Sequence, residues 1–167
     1  IGYASQLAYK RKLDKKMILP LLYPTASFVF LISLYSEFGV MVLFWLLIIV
    51  AATDTGAYFA GKTFGRTPFC ETSPNKTLEG VVGGMIFAVI MGIFTSINEV
   101  GILGAIIVSA IVSLSSVFGD LYESYLKREA GVKDSGNILP GHGGVLDRVD
   151  GYLFGAIVML VLLRIII

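Results

Sequence analysis

Residues 40–54 read Val40-Met-Val-Leu-Phe-Trp-Leu-Leu-Ile-Ile-Val-Ala-Ala-Thr53-Asp54. Val40 to Thr53 is almost wholly apolar. With its flanks the segment extends over about 39–61, long enough to cross a hydrocarbon core as a helix. Four further segments share this character, at about 18–35, 80–97, 102–121 and 151–167. Each is long enough with modest tilt or an extra turn. The chain is therefore expected to be all-α and polytopic, with about five transmembrane helices and cytoplasmic helical extensions and loops. Composition agrees, since 56% of its 167 residues are hydrophobic and its mean hydropathy is +0.82, well above the soluble range.

The charges orient the spans. Lys10, Arg11, Lys12, Lys15, Lys16, Lys62, Arg66, Lys76, Lys127, Arg128, Lys133 and Arg148 all fall on one side of a five-span arrangement, and Arg164 falls toward the other. By the positive-inside rule, the N-terminus and the long connections 62–79 and 122–150 are cytoplasmic. The connections Ser36 to Gly39 and Asn98 to Gly101 are short and lie on the opposite side. Residues 18–167 are expected to form one transmembrane domain, preceded by a cytoplasmic basic segment at 1–17. The chain opens Ile1-Gly2-Tyr3 without Met and without a signal-peptide cleavage pattern, so it is expected to be part of a longer protein. A net charge of +1 argues against a nucleic-acid partner. The single cysteine, Cys70, excludes an internal disulfide, and the single histidine, His142, excludes a multi-histidine metal cage.

Gly80 with Gly84, and Gly151 with Gly155, form small-residue pairs suited to close helix packing. No internal repeat is evident, which disfavours an inverted-repeat transporter.

Chemistry concentrates where spans meet the cytoplasm. Asp54 lies near the end of the second span, where a carboxylate is costly and by default a functional candidate. Ala57, Tyr58 and Gly61 share its helical face. The alternative is an interfacial Asp that reaches water or a Lys. Asp120 ends the fourth span, and Glu123, Ser124 and Lys127 continue its stripe. A solvated Glu123–Lys127 ion pair would account for part of that stripe. Asp147 and Asp150 flank Arg148 just before the last span, and hard oxygen ligands of this kind suit Mg²⁺. Ahead of them, Gly143 and Gly144 could bring backbone N–H groups to an anion, and His142 could bind or orient a substrate. In the 62–79 connection Pro74 is expected to fix a turn. Lys76 with nearby hydroxyls could hold phosphate there, although Thr77-x-Glu79-Gly80 also reads as an ordinary helix start. No P-loop, HExxH or GxSxG motif is present.

Ser124 through Asp150 resembles the signature of the phosphatidate cytidylyltransferases, also called CDP-diacylglycerol synthases. The resemblance rests on Ser124, Lys127-Arg128, Lys133-Asp134, Gly136, Leu139-Pro140, His142-Gly143-Gly144, Asp147-Arg148 and Asp150. Further blocks are similar: Asp54-x-x-Ala57-Tyr58-x-x-Gly61-Lys62, Ser73-Pro74-x-Lys76-Thr77-x-Glu79-Gly80, and Gly119-Asp120. It covers about residues 50 to 155. Asn75 stands where many members carry a second Lys, which leaves Lys76 as the phosphate contact there.

The resemblance implies transfer of the cytidylyl group of CTP to phosphatidic acid, giving CDP-diacylglycerol and pyrophosphate. It implies Asp120 and Asp147 as the main metal carboxylates, joined by Asp150 or Asp54. Ser124 and His142 stand with Asp120, Asp147 and Asp150 as catalytic candidates. Lys76, Ser73, Lys127, Arg128, Lys133, Arg148, Gly143, Gly144 and Asp54 are the substrate-binding candidates. Mg²⁺ is the expected cofactor, with a monovalent cation such as K⁺ beside it. The expected partners are CTP, phosphatidic acid and membrane lipids, within a homodimer. Members usually carry additional N-terminal helices, so this chain matches their C-terminal catalytic portion. The expected location is a bacterial inner membrane, with the site on its cytoplasmic side. A transporter or channel is the competing class, but it would place acids on both membrane halves. The pattern of a CDP-alcohol phosphotransferase is absent.

Overall fold

The computed structural model describes residues 15–70, 73–129, 131, 132, 135, 144 and 146–167, with 15–23 and 73–75 described as backbone alone. Most of the expected basic segment 1–17 lies outside these residues. Along the described residues run α1 (Lys15–Phe38), α2 (Val40–Phe64), β1 (Pro68–Cys70), β2 (Ser73–Thr77), α3 (Leu78–Thr95), α4 (Gly101–Glu129) and α5 (Leu146–Ile166). A 3₁₀ turn, Asn98–Val100, leads into α4. Among the described residues four segments are long and apolar enough to cross a membrane: α2, α3, α4 with its leading turn, and α5. The expected first span, 18–35, falls within α1. The protein is an all-α, polytopic membrane protein.

The helix boundaries follow from local chemistry. Gly39 separates α1 from α2 at φ +81°, a conformation that side chains with a Cβ rarely adopt, and its N–H still closes α1 on Tyr35 O at 2.9 Å. Thr77 caps α3, its Oγ1 accepting from Gly80 N at 3.2 Å. The helix of the fourth span extends past residue 121, in keeping with the expected cytoplasmic helical extension. It continues unbroken to Glu129, because no Gly or Pro interrupts that stretch and Lys127 and Arg128 complement the helix C-terminus. The last helix likewise begins at Leu146, ahead of the expected span start, with Asp147 in its first turn.

The 62–79 connection departs from expectation. It carries an antiparallel hairpin that pairs Pro68 with Thr77 and Cys70 with Ser73. Pro74 lies inside β2 and does not form the turn. A two-stranded ribbon has only edge strands, where proline's missing N–H is tolerated.

Packing sets the position of the site. The closest helix pair is α2 with α3. A Cβ at Gly84 would meet Thr53 O at 2.6 Å, so the two backbones approach as only glycine permits. Gly155 admits Leu46 of α2 and Val112 of α4 in the same way. The core between helices contains Trp45, Leu46, Ile49, Val108, Val112, Met159 and Leu163, all fully buried or nearly so. Within it the Thr53 hydroxyl donates to Ser113 Oγ at 2.8 Å, which satisfies polar groups that lipid could not. Outward faces carry exposed Phe44, Leu47, Ile86, Ile90, Ile102 and Leu103, the surface expected of helices in hydrocarbon. At one end of the bundle Arg164 of α5 pairs with Glu37 of α1, its Nε donating at 2.9 Å. Glu99 lies near that end too, while the other described acids and the lysines gather at the opposite end.

Candidate active site

The end of α4 and the start of α5 bring three carboxylates together. One oxygen from each of Asp120, Glu123 and Asp150 lies within 4.8 Å of the others. Asp120 and Glu123 are one turn apart on α4, so they share a face by helix geometry alone. Asp150 reaches them because Gly119 presents no Cβ: one there would meet Asp150 O at 2.8 Å. At an effective dielectric near 20, like charges at this spacing repel by roughly 3–4 kcal/mol per pair. Such a cluster needs cations.

Lysines supply part of that charge. The Lys127 ammonium sits 2.6 Å from Glu123 Oε2 and 2.9 Å from Asp147 Oδ1. Lys76, carried on β2, forms an ion pair with Asp120 across to α4. The balance is still incomplete. The Glu123 side chain is 2% exposed, and neither of its oxygens accepts a hydrogen bond in proper geometry. The Lys127 contact is therefore a close ion pair without an aligned N–H. A buried carboxylate with unused lone pairs beside two other acids fits an additional cation. The donor set is all oxygen, which suits a hard divalent ion such as Mg²⁺ and not a soft metal.

Asp147 is engaged differently. Besides Lys127, it accepts from Gly144 N at 2.7 Å and from Ser135 N at 3.0 Å. It ties the connection between α4 and α5 to the start of α5. Asp150 accepts from its neighbour Gly151 N at 2.8 Å. Ser124 Oγ is 3.5 Å from Asp120 Oδ1, at the limit of a hydrogen bond.

Two cavities meet at this cluster. The first, about 450 Å³, lies between α2, α3 and α4. Ala57, Gly61, Gly80, Val81 and Val117 form its walls, with Lys62 and Lys76 among its polar groups. The second, about 400 Å³, is lined by Asp147, Arg148 and Asp150 of α5 and by Ser116 of α4. Asp54 and Asp120 line both.

The structure thus brings Asp54, Lys76, Asp120, Lys127, Asp147, Arg148 and Asp150 to one end of the bundle. Arg128 is on the exposed last turn of α4, and Gly144 is buried against Asp147. Ser73 is in β2, its side chain outside the described residues, as are Lys133, His142 and Gly143. Sequence reasoning passed over Glu123, taken as half of a solvated ion pair. The ion pair is present, but Glu123 is among the most buried side chains of the protein. Its i+3 spacing from Asp120 was the available signal. Glu79 was also passed over. Its carboxylate accepts from Arg66 N at 3.1 Å, Thr67 N at 3.2 Å and Thr67 Oγ1 at 2.9 Å, clasping the base of the hairpin that carries Lys76.

Comparison with known proteins places this geometry. Residues 8–166 match the family described as the cytidylyltransferase family. The chain is 52% identical over 162 residues to a phosphatidate cytidylyltransferase of Helicobacter pylori strain J99, covering 96% of this chain and 61% of that protein. It is 44% identical over 122 residues to the Bacillus subtilis phosphatidate cytidylyltransferase, covering 71% of this chain and 45% of that protein. The Thermotoga maritima phosphatidate cytidylyltransferase is 39% identical over 155 residues, with 87% of this chain and 57% of that protein covered. The chain spans 61% of the length of the first of these relatives and less of the other two.

Proposed function

The chain belongs to the cytidylyltransferase family, and from that premise we propose that the protein transfers the cytidylyl group of CTP to phosphatidic acid. The products are CDP-diacylglycerol and pyrophosphate. The observation that carries this reading is the carboxylate cluster at the meeting point of two cavities, one walled by apolar spans and one lined by acids and Arg148. A water-borne nucleotide and a membrane-borne lipid must meet, and this arrangement offers each an approach.

In the reaction an oxygen of the lipid phosphate forms a bond to the α-phosphorus of CTP. The bond from that phosphorus to the bridging oxygen breaks, and pyrophosphate leaves. Such transfers depend on alignment and charge neutralisation more than on a protein nucleophile. Asp120, Glu123 and Asp150 are the residues that would hold a divalent cation, with Asp54 beside them; Asp147, a main metal candidate by resemblance, we assign to anchoring Lys127 and the connection ahead of α5. Mg²⁺ bound there would draw phosphate oxygens together and neutralise charge on the departing pyrophosphate. Lys127 keeps its ammonium between Glu123 and Asp147, and we assign it to holding those acids in place beside the phosphate-binding role the resemblance implies. Lys76 and Arg148 face the cavities and are the phosphate contacts we assign; Arg128, Lys133, Ser73, His142, Gly143 and Gly144 extend that set on the family resemblance. Ser124 orients Asp120. K⁺ as a second cation and a homodimer also rest on that resemblance. The site faces the cytoplasm, by the charge distribution, and bacterial relatives favour an inner membrane.

The test is pyrophosphate release by detergent-solubilised protein given CTP, phosphatidic acid and Mg²⁺. Release that requires all three, with CDP-diacylglycerol as the lipid product, is the expected result. No release, while the same lipid preparation supports a known synthase, would overturn the reading.

A further inference from the structure

The two cavities differ in what they can hold, and their cations distinguish them: Lys62 and Lys76 line the first, Arg148 the second. Lys62 lines the first cavity and not the second. It sits at the end of α2, two turns beyond Asp54, where the apolar span gives way to the polar connection. The other lysine of that cavity, Lys76, reaches across to Asp120 and the carboxylate cluster, where the phosphates of both substrates would meet. Lys62 makes a different kind of contact. Its Nζ lies 5.6 Å from the centroid of the Tyr58 ring and 3.5 Å from the Tyr58 hydroxyl. No carboxylate among the described residues pairs with it.

Lys62 is exposed, and Tyr58 presents 60% of its surface. A long side chain at the end of a span places its charge at the headgroup level while its stem follows the helix. The cavity below has an apolar side of Ala57, Gly61, Val81 and Val117, suited to acyl chains and glycerol, and a polar side that includes Asp54, Thr77 and Asp120. The second cavity has the opposite character, with Arg148 set among Asp147 and Asp150.

We infer that Lys62, stacked on Tyr58, is the headgroup-binding cation of a lipid phosphomonoester that occupies the first cavity, which leaves the second to the nucleotide. This rests on the proposed reaction and deepens it by sorting its two substrates between the two cavities. The cation matches the dianionic phosphate of phosphatidic acid better than the monoanionic phosphodiester of phosphatidylglycerol. A free phosphate has the same headgroup chemistry, but it would leave the apolar wall uncovered.

The experiment compares wild type, Lys62→Met and Lys62→Arg. Turnover is measured against the mole fraction of phosphatidic acid at saturating CTP, and then against CTP at saturating lipid. Lys62→Met is expected to raise the half-saturating phosphatidic acid fraction about tenfold, the loss of one charge-assisted contact, with the CTP requirement within about twofold. Lys62→Arg restores most of the lipid affinity. A raised CTP requirement with unchanged lipid dependence would overturn the assignment, as would no change in either. Native mass spectrometry of the same proteins with phosphatidic acid, phosphatidylglycerol, inorganic phosphate or CTP gives a readout that does not need turnover. Preferential phosphatidic acid binding, weakened in Lys62→Met, together with no product from any protein, would sink the proposed reaction while sustaining the lipid site. Equal retention of phosphatidic acid and phosphatidylglycerol, or binding of inorganic phosphate as strong as that of the lipid, would overturn the lipid site itself.

Discussion

Among single residues, Glu123 and Asp147 illustrate two ways a carboxylate can serve one site. Glu123 is buried, crowded by Asp120 and Asp150, and short of hydrogen bonds. Removing its charge relieves repulsion from two acids while Lys127 keeps its hydrogen-bonded partner Asp147, so Glu123→Gln is expected to leave thermal stability unchanged or raised. The same change removes a candidate cation ligand, and the half-saturating Mg²⁺ concentration should rise by about tenfold or more. Mg²⁺ titration of turnover beside a melting curve tests both halves; lower stability with an unchanged Mg²⁺ requirement would reduce Glu123 to a structural acid. Asp147→Asn is expected to behave in the reverse order. Asp147 holds Lys127 and two backbone N–H groups, and an amide would leave the Lys127 charge short of a partner. A loss of about 2–4 kcal/mol is expected, read from denaturation in detergent, with activity falling as the folded fraction falls. Neither distinction was legible in the sequence. The stripe Asp120, Glu123, Ser124, Lys127 was visible from helical spacing, and the metal-suited chemistry of Asp147 and Asp150 from residue type. What covers Glu123 is Asp150 and the start of α5, which are far along the chain, so its burial could not be read from its neighbours.

At the scale of elements, the interiors of spans were legible and their ends were not. Val40 to Thr53 is fourteen residues, almost all apolar, and with its flanks over about 39–61 the segment is long enough to cross a hydrocarbon core. The end of a span is decided by local capping and by what lies beyond the membrane, and hydropathy is blind to both. The polar stripe after Asp120 shows that α4 continues past its span, but its end at Glu129 and the hairpin at 68–77 are not written in hydropathy. That hairpin presents Lys76 to Asp120, and Glu79 is what closes it. With the Glu79 carboxylate taking three hydrogen bonds from Arg66 and Thr67, the strand that carries Lys76 leaves α3 in a fixed direction. Glu79→Gln keeps the shape of the side chain but cannot accept at both oxygens. Backbone amides of β1 are expected to exchange about tenfold faster, while those of the buried middle of α2 stay unchanged. Turnover should fall with little change in melting temperature, because the clasp lies outside the helical core. Unchanged exchange in β1 would show that strand pairing alone holds the hairpin.

For the molecule as a whole, the claim with the widest consequence is which way it faces. The described cations Lys62, Arg66, Lys76, Lys127, Arg128 and Arg148 all belong to the end that carries the acid cluster, while Arg164 pairs with Glu37 at the other. By the positive-inside rule that asymmetry favours a cytoplasmic cluster, the orientation the proposed use of CTP requires. The chain carries its own probe of this. Cys70 is its only cysteine, and it lies half-buried at the end of β1, in the hairpin beside the site. A membrane-impermeant maleimide should therefore label the protein in inside-out vesicles and not in intact spheroplasts, provided any segment upstream of this chain contributes no cysteine of its own. Asn98→Cys in a Cys70→Ser background reports the opposite end, since Asn98 begins the 3₁₀ turn between α3 and α4. It should be labelled from outside and protected in inside-out vesicles. The two probes are separated by a single span, α3, so labelling of both from one side would mean that α3 does not cross. Reversal of both would keep the fold but turn the carboxylate cluster away from the nucleotide pool, and a CTP-dependent reaction at that cluster could not then be sustained in the cell.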